Sequence, residues 1–473
     1  MNKEIVTRSL GLDALRGFAI LTMILSSRIP FGVLPGWMYH VQVPPPLHKF
    51  NPAIAGISWV DLVFPFFLFS MGAAFPFALS KRLKNDSSNL KIYLQILWRG
   101  ILLAFFAVTI QHMRPHVINP DQPTETLLLA VILFLFLFLI FAKFPFIISK
   151  NINYLLKGIG LAGTFTFFYL IEYPDGTGFS LRRFDIIILV LANVALVGSI
   201  VWILTQKNIY YRLIFLVFCF AIRLIFNTEG SWLAQAASYY PSWMLFQPYF
   251  LKYLFIVIPG TIIGDLIYQW NKEAINENEP KSEFSERGLV IISIILLLII
   301  PINLFAFYDR FIFELLVFNV SISFLLYKIF QRTKAVNDLL IKKILLWGIF
   351  WLLLGTLLEP FEGGIKKDHS TMSYYFVTTG LAIFMLTSFT IIIDFLKVKR
   401  GFKLLITNGQ NPMLAYAVGT NLLTPLVMLS SIDPLLRSVL STPWLGVIKG
   451  IIVTYILAVI VHLFTKYKIF WRT

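Results

Sequence analysis

Apolar runs long enough to cross a bilayer, repeated along almost the whole chain, constrain this sequence more than any other feature. A hydrocarbon core about 30 Å thick needs roughly 20 apolar residues in helical form. Such runs are centred near residues 19, 69, 102, 134, 162, 195, 218, 258, 298, 320, 350, 385, 420 and 455 of the 473-residue chain. With 58% hydrophobic residues, 14% charged residues and a mean hydropathy of +0.78, the chain is too apolar for a water-soluble protein of this length. In lipid every backbone polar group must be satisfied within its own segment, so the runs read as helices. The expected fold is all-α, a polytopic transmembrane bundle of about 11–14 spans. It forms one membrane-embedded domain over residues 1–473, with the hydrophilic stretch 271–287 as a cytoplasmic linker loop.

A formal net charge of +16 invites a nucleic-acid reading, but the distribution of the charge argues against one. Lys and Arg sit in short clusters between the apolar runs, as orientation signals and contacts to anionic lipids do. An N-terminus in the cytoplasm puts Lys81, Arg82, Lys84 and Lys91, and later Lys397, Lys399, Arg400 and Lys403, on the inner side. His40, His48, His112, His116 and His369 then fall on the outer side, so the polar chemistry gathers at one face. Residues 1–9 carry no cleavage-type signal, so the first span is expected to stay in the mature protein. The single cysteine, Cys219, excludes an intrachain disulfide.

The segment 36–72, GWMYHVQVPPPLHKFNPAIAGISWVDLVFPFFLFSMG, holds two histidines, a triple proline and one acid, Asp61, at the start of a span. Irregular backbone beside a span is tolerated where it is buried in protein or lines a wet cavity. The loop therefore reads as an active-site loop. Asp13 and Arg16, three apart in the first span, share a helix face and can pair; the arginine is equally suited to a phosphate. The GxGxxG at 158–163 follows no strand, so it reads as small residues for close helix packing, as do Gly260 and Gly264. Arg99, Asp185, Arg223, Asp265, Glu314 and Glu359 are ionisable and lie in or near spans, where they are either functional or anchored at span ends. No metal site is expected: HExxH is absent, and Pro115 interrupts the His112–His116 spacing.

These pieces resemble a known family. LDALRG in the first span, the His-bearing loop, and Trp59-Val60-Asp61-Leu62-Val63-Phe64-Pro65 are similar to heparan-α-glucosaminide N-acetyltransferase and its bacterial relatives. Lys367-Asp368-His369-Ser370-Thr371-Met372-Ser373-Tyr374 and Asn408-Gly409-Gln410-Asn411 through Tyr416 resemble two later segments of that family. The likeness covers residues 9–110 and 360–425. It implies transfer of an acetyl group from cytosolic acetyl-CoA to an amino sugar or glycan across the membrane. The catalytic histidine would be His48 or His40, with Asp61 orienting it. His48 is nearer in spacing to Asp61 and is favoured; His40 follows Trp37 and Tyr39 much as the family residue follows an aromatic pair. Arg16, Lys81, Arg82 and Asn411 would meet the CoA donor, and Lys367, His369 and Ser27 the acceptor. The imidazole would act as a base or carry the acetyl group itself.

The resemblance places the chain in a bacterial inner membrane. Membrane lipids and the acceptor are the expected partners, no nucleic acid is expected, and a homodimer is compatible with such a chain. A second reading is a secondary transporter of a sugar or small anion, because Pro65, Pro259-Gly260 and Pro412 interrupt apolar runs.

Overall fold

A computed structural model describes residues 8–32, 34–84, 89–145, 149–241, 243–273, 282–430 and 442–473. Much of the expected linker 271–287 therefore lies outside the described residues. The fold is an all-α polytopic helical bundle. Among the described residues, strand structure is confined to Ala142–Lys143 paired antiparallel with Phe470–Trp471. Each of the fourteen expected centres falls in a helical stretch, and twelve of these stretches are long and apolar enough to cross a membrane. The other two are Leu10–Ser26 and Lys150–Leu170. The chain is an integral, multi-pass membrane protein.

Where one domain was expected, the chain forms two compact units interleaved in sequence. One comprises residues 1–85, 255–410 and 441–458; the other comprises 86–254, 411–440 and 459–473. The first unit is built around the Met372–Phe389 helix, which continues as a π-turn to Phe395 and is 94% buried over its apolar window. An all-round apolar sequence suits that central place. The Leu10–Ser26 helix is fixed at its N-terminus. Asp394 accepts hydrogen bonds from Ser9 Oγ (2.9 Å) and from the Leu10 and Gly11 amides (both 3.1 Å), so a carboxylate meets a helix N-terminus. Gly17 and Gly409 allow this helix to lie directly on the Lys403–Gln410 helix. A Cβ at either would come within 1.8 Å of a backbone oxygen of the other helix. A reciprocal amide pair joins two further spans: Asn303 Nδ2 donates to Asn319 Oδ1 (3.1 Å), and Asn319 Nδ2 returns the bond to Asn303 Oδ1 (2.9 Å). Both side chains are buried and satisfied, as interhelical polar contacts in a bilayer must be.

The second unit carries its own polar fixings. Asp185 caps the Ile186–Thr205 helix through the Ile188 amide (2.9 Å), pairs with Arg114 and accepts from Tyr416 OH (2.6 Å). His112 donates from Nδ1 to the Val108 carbonyl (2.8 Å) and accepts from the Ser180 amide at Nε2 (3.3 Å), among Phe168, Tyr173 and Phe179. It is a neutral pin between a helix and a loop.

The helices run unbroken through Pro65 and Pro259. At Pro412 the expected interruption is present: Asn411 separates the Lys403–Gln410 helix from Pro412–Val418. Gly260 and Gly264 bring the Leu254–Glu273 helix against the backbone of Phe69 and Ala73. The GxGxxG segment is helical, and two of its glycines face the Thr124–Phe141 helix. A Cβ at Gly160 would stand 2.8 Å from the Phe136 carbonyl oxygen, and one at Gly163 would stand 2.5 Å from the Phe136 ring. Gly158 faces open space. Gly160→Leu is therefore expected to cost about 1–3 kcal/mol by overpacking and to lower the thermal midpoint of the purified protein by several degrees. Gly158→Leu, in the same motif, is expected to leave that midpoint nearly unchanged.

Candidate active site

The site lies wholly within the first unit and is built on the loop between the Leu10–Ser26 and Trp59–Lys84 helices. That loop has a small core of its own: Ile29, Leu34, Met38 and Tyr39 pack together against Leu25, Trp59 and Val447. Tyr39 OH donates to the Pro30 carbonyl (2.8 Å), and Ser58 Oγ donates to the Tyr39 carbonyl (2.6 Å). Apolar burial and two polar ties thus bring residue 40 back to the start of the next helix.

That helix begins with a cap in which Ser58 and Asp61 take up amides at the helix start. Ser58 Oγ accepts from the Val60 amide (3.2 Å), and the Ser58 amide donates back to Asp61 Oδ2 (3.0 Å). The Val41 amide also reaches Oδ2, at 3.4 Å. One oxygen of the fully buried Asp61 carboxylate is therefore occupied by capping. The other, Oδ1, faces His40 Nδ1 at 2.5 Å and the Lys367 ammonium at 3.5 Å. The opposite ring nitrogen of His40, Nε2, lies 3.2 Å from Asp368 Oδ2. These contacts have ion-pair distances, with the ring turned off the axis of a good hydrogen bond. Exposure rises outward, from none at the Asp61 side chain through 17% at His40 to 48% at Asp368.

Lys367 and Asp368 are held by a second ordered loop. Glu359 is buried, pairs with Arg310 and accepts from the Ile365 amide (3.1 Å). Glu362 caps the Met372–Phe389 helix through the Met372 and Ser373 amides (both 2.7 Å). The two loops are locked together by Gln42, whose buried amide accepts from the Asp368 N–H (2.8 Å) and donates to the Asp368 carbonyl. The Gly56 amide donates to the Ile365 carbonyl (2.7 Å), and Tyr374 OH donates to the Asp61 carbonyl (2.8 Å).

The structure thus brings His40, Asp61 and Lys367 together. Spacing favours His48 as the neighbour of Asp61, but His48 stands elsewhere. Its backbone is left-handed (φ 48°), its Nε2 accepts from the Gly32 amide (3.1 Å), and its ring packs on Phe31 and Tyr39. Ser27 caps its own helix by donating to the Ile24 carbonyl (2.8 Å), and His369 is exposed beside Asp368. Arg16 is taken up by the Gly409 (3.2 Å) and Ser70 (3.1 Å) carbonyls and by Asp13 at 3.5 Å. Asn411 belongs to the second unit, where it donates to the Ile469 carbonyl (2.9 Å) and accepts from the Trp471 amide (3.0 Å). Lys81 and Arg82 lie in the last turns of the Trp59–Lys84 helix, with Lys81 exposed. Sequence reasoning gave no role to Gln42, Ser58 or Asp368. The Ser58-x-x-Asp61 spacing is a capping signature that would have found Ser58.

A histidine thus stands between a buried and an exposed carboxylate, with a lysine alongside, in a multi-pass helical membrane protein. The chain belongs to the family described as Domain of unknown function (DUF5009), whose model matches residues 8–267, over half of its length. No curated protein matches it.

Burial alone would lower the His40 pKa, but Asp368 and Asp61 outweigh it and hold the imidazole above its ordinary value. The charged ring then contributes stability that is complete below about pH 6.5 and is lost as pH rises through the raised value. The thermal midpoint of the unaltered protein is expected to fall over that window relative to His40→Gln, which removes this titration. Parallel curves for the two proteins would contradict the pairing.

Proposed function

We propose that this protein is a transmembrane acyltransferase of the bacterial inner membrane, with its N-terminus in the cytoplasm. It moves an acetyl group from cytosolic acetyl-CoA to the amine of an amino sugar or glycan on the far side. The observation that carries the reading is His40 set against Asp61 through Nδ1, with Lys367 on the same carboxylate oxygen and Nε2 turned to the more exposed side beside Asp368. Asp61 fixes the ring and balances its charge when it is protonated. Nε2 takes the proton of the attacking amine, as a general base does. Lys367 supplies positive charge where the thioester carbonyl oxygen becomes an oxyanion.

The Trp59–Lys84 helix supports a two-sided reaction. Asp61 lies in its first turn and Lys81 and Arg82 near its last, about 30 Å away along one helix, which is the thickness of a hydrocarbon core. We assign Lys81 and Arg82 to the CoA phosphates. Arg16 and Asn411 are given over to the internal bonds described above.

Purified protein in lipid nanodiscs, given labelled acetyl-CoA and glucosamine, is expected to form N-acetylglucosamine. His40→Ala should lower kcat by about 10²–10⁴-fold, the usual worth of a general base. His48→Asn should stay within about threefold, because asparagine accepts the left-handed backbone found there. Full activity in His40→Ala would overturn the histidine mechanism. Counterflow of labelled sugar without any acyl donor would favour the transporter reading instead.

A further inference from the structure

Gly17, Gly72 and Gly264 let helix backbones touch, but Gly100 keeps a space open. A Cβ there would meet its nearest neighbour, Leu196 Cβ, at 3.6 Å, an ordinary contact. The space is a cavity of about 420 Å³ inside the second unit. Its walls are the Asn89–His112, Lys150–Leu170 and Ile186–Thr205 helices, with Phe179, Leu181, Leu245 and Phe246. Asn193 is the one polar side chain in that wall, and its amide is spent. Nδ2 donates to the Leu189 (2.8 Å) and Leu245 (3.0 Å) carbonyls, and Oδ1 accepts from the Gln247 amide (2.7 Å). A buried water needs several polar partners, and this wall offers almost none. Left empty, a void of this size forfeits packing contacts all round. The fitting occupant is therefore apolar. Ile101, Phe165, Leu181 and Phe246 are exposed at the rim, so the cavity opens at the outer face of the helices, where a bilayer chain can enter. From Leu97 to Val108 the wall runs about 16 Å at roughly 1.5 Å per residue, half of a hydrocarbon core of about 30 Å. That is the depth of one leaflet.

The loop 171–185 supplies Phe179 and Leu181 to the Val108 end of the cavity, and His112 pins it there. The Ser180 amide donates to His112 Nε2 (3.3 Å), Tyr173 OH donates to the His112 carbonyl (3.1 Å), and the imidazole packs on Phe168 and Phe179. Most charges of this loop are matched. Arg183 pairs with Asp175 and lies 3.8 Å over the Tyr173 ring, and Asp185 pairs with Arg114. Arg182, the residue after Leu181, is exposed and makes no ion pair among the described residues, with Glu172 or any other acid. We propose that the cavity holds one acyl chain of a bilayer phospholipid, with the lipid phosphate at Arg182. A guanidinium matches phosphate oxygens, and the loop stands where the headgroup of a chain reaching one leaflet deep would lie. The site is separate from the His40 cluster and does not depend on the acyltransferase reading.

The test uses the full chain in nanodiscs doped with a phosphatidylglycerol that carries a diazirine on one acyl chain. After irradiation, labelled peptides are identified by mass spectrometry. Labelling within residues 97–108 and 186–205 should exceed that of the lipid-facing helix 312–330 by about tenfold or more. Gly100→Leu, whose Cβ the wall accepts and whose remaining atoms enter the cavity, should bring it down to the level of 312–330. Unchanged labelling of 312–330 shows that the variant is folded. Arg182→Gln should lower cavity labelling by about tenfold, the worth of a hydrogen bond to a charged group, and Arg182→Lys should recover part of the loss. Equal labelling of the two regions in the unaltered chain, as boundary lipid alone would give, overturns the inference. Cavity labelling that survives Gly100→Leu overturns it as well. Labelling indifferent to Arg182→Gln overturns the placement of the phosphate. A different apolar molecule extracted from the purified chain, with no phospholipid beside it, also overturns the proposal.

Discussion

Burying a carboxylate without partners costs several kcal/mol, and at Asp61 the surrounding backbone and cations offset that cost. Its two oxygens divide the task. Oδ2 takes the Ser58 and Val41 amides and thereby sets where the Trp59–Lys84 helix starts and where the preceding loop must pass. Oδ1 takes the charges of His40 and Lys367. The Asp61 carbonyl binds Tyr374 OH, which ties the same residue to the central helix of its unit. Two loops and two helices therefore meet at one residue. The position of His40 follows from that meeting and cannot shift without disturbing the helix start.

The helices were legible because the demand a bilayer makes is local. A run of apolar residues must satisfy its own backbone, and nothing distant can substitute for that. Asp61 was legible for a related reason, as a lone acid at the mouth of an apolar run. Which histidine it meets was not, because distance along a folded loop is a poor guide to distance in space. Ile29, Leu34, Met38 and Tyr39 fold the loop onto itself, which carries His40 inward while the nearer His48 takes a left-handed turn. The clamp between Gln42 and Asp368 spans 326 positions, and no spacing rule reaches that far.

Several charged and polar residues that looked available for ligands hold backbone groups or other side chains instead. Arg16 bridges carbonyls of two neighbouring segments, Asn411 ties down the chain near residues 469–471, and Asp185 joins a helix cap to Arg114 and Tyr416. Low dielectric explains the pattern. A helix terminus buried in a membrane protein exposes the same unsatisfied amides and carbonyls as in water, but no solvent is there to meet them. Ionisable side chains near span ends are a ready supply of partners. A functional role for such a residue needs an argument beyond its position, and the cluster around His40 has one because its charges meet each other as well as the backbone.

The prolines bear on the choice between a fixed site and a moving one. Carriers commonly break helices at mid-membrane, so that half-helix ends bind the cargo and the halves can move. Of the three interruptions that prompted a carrier reading, Pro65 and Pro259 sit inside continuous helices. Gly260 and Gly264 press the second of these helices onto the backbone of the first, a contact with little room for sliding. The break at Pro412 remains, but its Asn411 is bound on both amide groups rather than turned toward a ligand. The helix that carries Asp61 is thus braced along its length. A rigid element of this kind suits a site that must hold an imidazole in one place while reactants come to it.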